Sequence, residues 1–295
     1  MPFLQTIGGG SIRGLSAKKQ VSGILYNGVL YVSGQSFTLT SPSLNQAGVY
    51  EATVQGSPTL RVTCKGARGS NKWGAGAPPG YGGNVTGTYV ATPAGTYKFV
   101  VGKSGADGGS NGVSGGYPGG GYANEDGAPG GGFTGWWRGS NSNPLDEANR
   151  SNYLLIGGAG AGSSSSSPKD STYTMAGGYP SGGTGTQNAS SMTRAQGGSQ
   201  SGPGAAQLNM NGQNEGTTSG SGYTGGNSGS CGSNSGQGGA GGGGYYGGGG
   251  GNSHCGNGGG GGGGGSSYYD SSRITNFVYT NDANNGDGHI FVEVL

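Results

Sequence analysis

Few groups in this chain can do acid–base, nucleophilic or metal chemistry. They are two histidines (His254 and His289), three cysteines (Cys64, Cys231 and Cys255) and twelve carboxylates. His254 and Cys255 are adjacent, a spacing that by itself suits neither a metal site nor a Cys–His dyad. A structural zinc needs four suitably spaced ligands, and no C-x-x-C occurs. Glu125-Asp126 and Asp146-Glu147 read as solvated loop charges, with calcium at Glu125-Asp126 as the alternative. Gly-x-Gly-x-x-Gly patterns abound, but composition alone generates them, and none sits in a strand–helix context. The expectation is a non-enzyme with no cofactor, no metal and no catalytic set.

The aromatic residues carry a stronger signal. Trp136-Trp137-Arg138 follows Gly130-Gly131-Gly132-Phe133. Two adjacent indoles in a glycine-rich stretch are costly to expose without a use, and Trp, Tyr and Arg dominate binding hot spots. The competing reading is that Trp136 or Trp137 plugs the junction between two parts of the fold. Tyr117, Tyr122, Tyr179, Tyr223 and Tyr245-Tyr246 punctuate the glycine runs. At the end of a glycine bundle they would bind a partner; along its side they would shield backbone. These residues, with Trp136, Trp137 and Arg138, are the receptor-binding candidates. Tyr268-Tyr269 stands near the return to the strands, and Trp73 reads as packing.

What positions them is set by composition. Of 295 residues 78 are Gly, and only 9% are charged. Gly costs a helix roughly 1 kcal/mol per position, so a helical protein is excluded. No apolar run reaches the ~18 residues of a membrane helix, and collagen's strict three-residue register is missing. A net charge of +2, seven scattered Arg and no Arg-Gly-Gly repeats argue against a nucleic-acid partner. Disorder usually joins low hydrophobicity to high net charge, and here the charge is almost nil.

Strands are expected where apolar residues cluster. Ile24-Leu25-Tyr26 and Val29-Leu30-Tyr31-Val32 flank Asn27-Gly28, a strong hairpin signal. Residues 1–47 read as a separate attachment segment, with Ile12, Arg13, Leu15, Lys18 and Lys19 as docking candidates. Residues 48–103, 153–157 and 273–295 carry the strands of a β-sandwich; Tyr97, Phe99 and Val101 alternate with Lys98 and Val100, giving one buried face. The rest, about 104–152 and 158–272, lacks side chains to build a core. Polyproline-II geometry has three residues per turn and no internal hydrogen bonds. Bare glycine backbones in that form can approach until their amides and carbonyls pair laterally, as buried backbone groups must. The expected fold is mainly β: a sandwich anchoring an inserted bundle of polyglycine-II helices, with almost no α-helix.

The order of motifs resembles a family. Val62-Thr63-Cys64-Lys65-Gly66-Ala67 leads to Gly80-Tyr81-Gly82-Gly83 and Tyr97-Lys98-Phe99-Val100-Val101-Gly102. Leu154-Leu155-Ile156-Gly157-Gly158-Ala159-Gly160, the polyglycine tract and Gly286-Asp287-Gly288-His289-Ile290-Phe291-Val292 follow. Over about residues 48–295 this resembles the glycine-rich domain of anaplastic lymphoma kinase-type receptors and related bacterial and phage domains. The glycine bundle is also similar to the tip adhesins of T-even-like phage tail fibres. The start shows no secretory signal pattern, so the reading expects assembly in a host cytoplasm and display on a virion surface. The resemblance implies an adhesin that docks onto another tail-fibre protein and binds a host surface protein or glycan through bundle loops. The alternatives are a structural virion protein (head fibre, decoration or filament subunit) and a receptor-type ligand-binding domain. Membrane insertion is not expected. Homo-oligomerisation and pairing of Cys231 with Cys255 stay open.

Overall fold

A computed structural model describes residues 21–41, 48–71, 78–106, 112–124, 127–140, 143–164, 175–187, 192–208, 216–230, 236–254 and 258–295. Asn27 and Gly28 take φ of 46° and 76°, the left-handed pair that a two-residue hairpin turn requires. They join β1 (Gly23–Tyr26) to β2 (Val29–Tyr31). Then come β3 (Ser36–Thr40), β4 (Gly48–Gln55), β5 (Leu60–Lys65), β6 (Gly82–Tyr89) and β7 (Gly95–Val101). After these follow β8 (Thr134–Arg138), β9 (Tyr153–Gly157), β10 (Tyr268–Tyr269), β11 (Thr275–Asn284) and β12 (His289–Val294).

These strands form two antiparallel sheets, ordered β10-β9-β8-β7-β4-β1-β2 and β11-β6-β5-β12-β3. Their inner faces share one apolar core. Val54, Phe99, Val101, Trp136 and Leu155 come from the first sheet; Leu39, Val62, Cys64, Val85, Ile290 and Val292 come from the second. The expected sandwich is present, and two corrections follow. β1–β3 are not a separate unit: β1 pairs with β4 and β3 with β12, so this part of residues 1–47 belongs to both sheets. Residues 134–138, assigned to the glycine bundle, are a sheet strand between β7 and β9.

The first sheet is covered on both faces around β7–β9. Val100, Trp137, Tyr153 and Ile156 point away from the sandwich core and form a second cluster with Phe133 and Tyr223. All five residues of β9 are therefore buried. That cluster joins the sandwich to the glycine region.

In the glycine region the chain runs in short rows held by lateral backbone bonds. The row 239–244 shows the rule. Gly239 and Gly242 donate to Gly260 and Gly263; Ala240 and Gly243 donate to Ala128 and Gly131; Gly241 and Gly244 donate to Gly226 and Tyr223. Each neighbour is met again after three residues, the interval that three residues per turn dictates. The row starting at Ala159 behaves alike: Ala159 and Gly162 donate to Gly243 and Ala240, and Gly160 and Ser163 to Ala67 and Ser70. Separation is set by bare backbone, since a Cβ on Gly242 or Gly249 would land on the carbonyl oxygen of Ala159 or Ala205.

Candidate functional site

Rows that follow one another in sequence run antiparallel, as where Gly241 and Gly244 donate to Gly226 and Tyr223 and Gly248 and Gly251 donate to Gly242 and Gly239, so their ends gather at two poles. At the sandwich pole the chain turns around aromatic residues. At the far pole the row ends are polar and knit together. Ser163 Oγ donates to Asn71 Oδ1 (3.0 Å), Ser228 Oγ accepts from Asn124 N (2.9 Å), and Ser253 Oγ donates to Gly229 O (2.6 Å). Gln207, fully buried, accepts from Asn252 N (2.8 Å) and donates to Thr193 O (2.8 Å). Amide and hydroxyl side chains thus satisfy backbone that no further glycine row can reach.

Trp136 and Trp137 are fully buried, so they are not exposed anchors of the kind the sequence suggested. Alternation along β8 sends them to opposite faces. Trp136 stacks on Phe99 (6.3 Å, 9°) inside the sandwich. Trp137 packs in the outer cluster, with its Nε1 directed to Asn149 O (3.4 Å) and the Lys98 ammonium 5.5 Å from its ring. Arg138, exposed, ends the strand opposite Tyr97.

Most of the candidate tyrosines pack against other aromatic rings. Tyr179 packs against Tyr269 (5.8 Å) and Phe277 (5.0 Å). Burial, then the neighbouring Tyr269, raises its phenol pKa above the ordinary value. Tyr245 stacks flat on Tyr268 (4.1 Å, 7°) and meets Tyr246 edge-on. Tyr223 is buried against Phe133 and Tyr153, and that burial pushes its phenol well up. Only Tyr117 and Tyr122 of the candidate tyrosines are well exposed, at 42% and 40%.

One feature was not legible as a site. Asp146 caps a 3-10 turn (Glu147–Asn152), its Oδ1 accepting from Ala148 N at 3.0 Å. The pair read as solvated charge is therefore half structural. The turn carries Arg150 to a place where its guanidinium lies 4.1 Å from the Tyr246 ring centre, 5.1 Å from Tyr223 and 5.3 Å from Tyr245. Glu147 sits 3.6 Å from Arg150, its carboxylate laid against Gly222. Beside this cluster opens a pocket of about 210 Å³ lined by Tyr117, Phe133, Leu145, Glu147, Tyr223 and Thr224. Tyr117, Tyr223, Tyr245 and Tyr246 around it were binding candidates from the sequence, whereas Arg150 was not singled out and Glu147 was read as solvated charge.

Of the other chemistry-bearing groups, Cys64, His289 and Asp287 are built into the strands and their turns, and His254 ends a glycine row with its backbone N–H donating to Gly236 O. Cys64 is a buried free thiol whose pKa burial raises far above the ordinary value. His289 lies in β12, where burial and then Lys65 lower its pKa. Asp287 accepts from Lys103 and from Ser104 N (2.9 Å) and Oγ (2.6 Å). Among the described residues no group of three or more His, Cys, Asp or Glu could hold a metal, and no helix is long and apolar enough to cross a membrane. Ile12, Arg13, Leu15, Lys18 and Lys19, with Trp73, Glu125, Asp126, Cys231 and Cys255, lie outside the described residues. No family model matches the chain, and no curated protein matches it.

Proposed function

We propose that the chain is a bacteriophage attachment protein, a tail-fibre or tail-tip adhesin, whose glycine rows are polyglycine-II helices displaying a host-binding surface at their far pole. The observation that supports this most is the division between the poles. Aromatic rings join the rows to the sandwich at one pole, whereas the described row ends at the other, among them Asn71, Asn124, Gln207, Ser228 and Ser253, carry amides and hydroxyls. The rows are held by backbone bonds, so sequence outside them is free to vary. Of the original receptor candidates, Tyr117 and Tyr122 keep accessible rings; Trp136, Trp137, Tyr223 and Tyr245 act as packing. Virion docking falls to residues 1–20, because β1 begins at Gly23.

Two experiments test the reading. Immunogold labelling of virions should place the protein at fibre tips; gold on the head, or on no particle, would overturn it. Exchanging residues 165–174 and 209–215 for unrelated polar segments of equal length should abolish adsorption to the host with the melting temperature unchanged. Unaltered adsorption would remove residues 165–174 and 209–215 as contributors to host binding.

A further inference from the structure

We propose that Asn285, which precedes Gly286, is a self-modification site: its amide is converted through a cyclic imide to aspartate and isoaspartate, with Arg68 promoting ring closure. The reaction consumes only water and stands independently of the attachment reading.

The dipeptide sets the chemistry. The Gly286 backbone nitrogen attacks Cγ of Asn285, and glycine, having no Cβ, lets it come close. The N–Cγ bond forms and the Cγ–Nδ2 bond breaks. The Gly286 amide proton leaves with the side-chain nitrogen as ammonia. Water then opens the imide. Breaking the new N–Cγ bond gives aspartate. Breaking the bond from that nitrogen to the Asn285 main-chain carbonyl carbon gives isoaspartate, in which the main chain runs through the former side chain.

Two Asn-Gly pairs lie wholly among the described residues, and the structure separates them. Asn27 and Asn285 are both exposed. A Cβ on Gly28 or Gly286 would meet nothing within 4 Å. Neither glycine N–H donates to another group among the described residues, so both nitrogens are free to attack. The difference is at the carbonyl under attack. Arg68 Nη1 donates to Asn285 Oδ1 at 3.2 Å, and among the described residues no guanidinium contacts the Asn27 amide. Negative charge develops on Oδ1 as the nitrogen adds. A cation already hydrogen-bonded there stabilises the transition state more than the ground state.

Arg68 is fastened to the same turn. Its backbone N–H donates to Gly286 O at 2.9 Å. The buried Asn284 side chain donates through Nδ2 to Gly66 O (2.7 Å), Gly286 O (3.3 Å) and Asp287 O (2.7 Å). These bonds hold the carbonyls of the turn and leave the attacking nitrogen unengaged. After reaction a carboxylate faces Arg68, and the formal net charge of +2 falls by one. The isoaspartate form also lengthens the main chain by one methylene, two residues before Asp287, whose carboxylate ties this turn to Lys103 and Ser104. The turn thereby records the age of the molecule at the joint between β11 and β12.

The test is peptide mapping by mass spectrometry after the full chain is incubated at neutral pH in heavy-oxygen water, native and in denaturant. Labelling by an isoaspartyl methyltransferase identifies the isoaspartate product. Asn111, Asn211 and Asn257 also precede glycine, and mapping scores each by itself. In the native protein Asn285 should gain solvent oxygen about fivefold faster than Asn27, and in denaturant the two rates should converge. Removing one such donor from an enclosed site costs roughly 10²–10³ in rate. Solvent screens Arg68 here, so Arg68→Gln should slow Asn285 by about fivefold and leave Asn27 unchanged. Gly286→Ala should suppress the Asn285 reaction with the fold intact, because its methyl meets no other atom and crowds only the attacking nitrogen. A native Asn285 no faster than Asn27, an Asn285 rate untouched by Arg68→Gln in folded protein, or one untouched by Gly286→Ala would each overturn the proposal.

Discussion

The sandwich and the glycine rows solve the same problem with opposite materials. Between the sheets, backbone is spaced widely and the gap is filled by Trp136, Phe99, Leu155 and Val292. Among the rows, backbone itself fills the gap, and its amides and carbonyls are the contact. One region therefore fails when atoms are removed and the other when atoms are added. β8 belongs to both, with Trp136 turned inward and Trp137 turned toward the rows.

The largest expected effect is in the sandwich. Trp136→Ala removes a fully buried indole and should cost about 3–5 kcal/mol, read by denaturant unfolding. A loss under about 1 kcal/mol would mean that the inter-sheet core is not a single packed unit. The mirror experiment is Gly242→Ala. Its methyl would meet backbone at Ala159 and Gly160, which has no rotamer to yield. The cost should reach the upper end of ordinary overpacking, about 3 kcal/mol, an inversion of the usual benefit of replacing glycine. A neutral Gly242→Ala would erase the contrast between the regions.

Much of the sandwich was legible because its signals are carried by side chains. Asn27-Gly28 between apolar runs marks its hairpin, and Tyr97, Phe99 and Val101 mark the inward face of β7. β8 was missed for a physical reason: Thr134 to Trp137 are buried on both sides, so no alternation of polar and apolar residues betrays the strand. The existence of glycine rows could be argued from composition, but not their pairing. Nothing in the sequence distinguishes Gly241, which donates to Gly226, from Gly242, which donates to Gly263. The pocket was invisible for a related reason, since residues near 117, 145 and 223 meet only after the rows are stacked.

A smaller effect tests the joint between the regions. Asp287, in the turn before β12, ties that turn to Lys103 and Ser104. Burial would raise its pKa, but the hydrogen bonds from Lys103 and Ser104 outweigh that and hold it below the ordinary carboxylate value. A carboxyl depressed in the folded state adds stability above its unfolded pKa of roughly 3.9 and loses it as pH falls through the lower folded value. Partial exposure screens the contribution to about 1 kcal/mol. Asp287→Asn should remove this increment at pH 7 and flatten the acid limb of stability below about pH 4. An unchanged acid limb would leave the joint without an electrostatic part.

The smallest effect is the control for the glycine rule. Gly202 lies in the turn after Ser199, and a Cβ there would meet nothing within 4 Å. Gly202→Ala should change stability by no more than about 0.5 kcal/mol, in a melting experiment run beside Gly242→Ala. Equal damage at both positions would show that glycine matters in this chain for flexibility rather than for close approach.

The place of β12 in its sheet has a consequence for synthesis. It lies between β5 and β3, pairing with both. β3 and β5 leave the ribosome early, whereas the strand that joins them follows β5 by roughly 220 residues. At about 5–20 residues per second the interval is roughly 10–45 s. During that time the nascent chain carries two unjoined strands and a long glycine stretch whose rows bond mainly to distant residues. The second sheet is therefore completed only when the last strand emerges, after everything between β5 and β12 has been made.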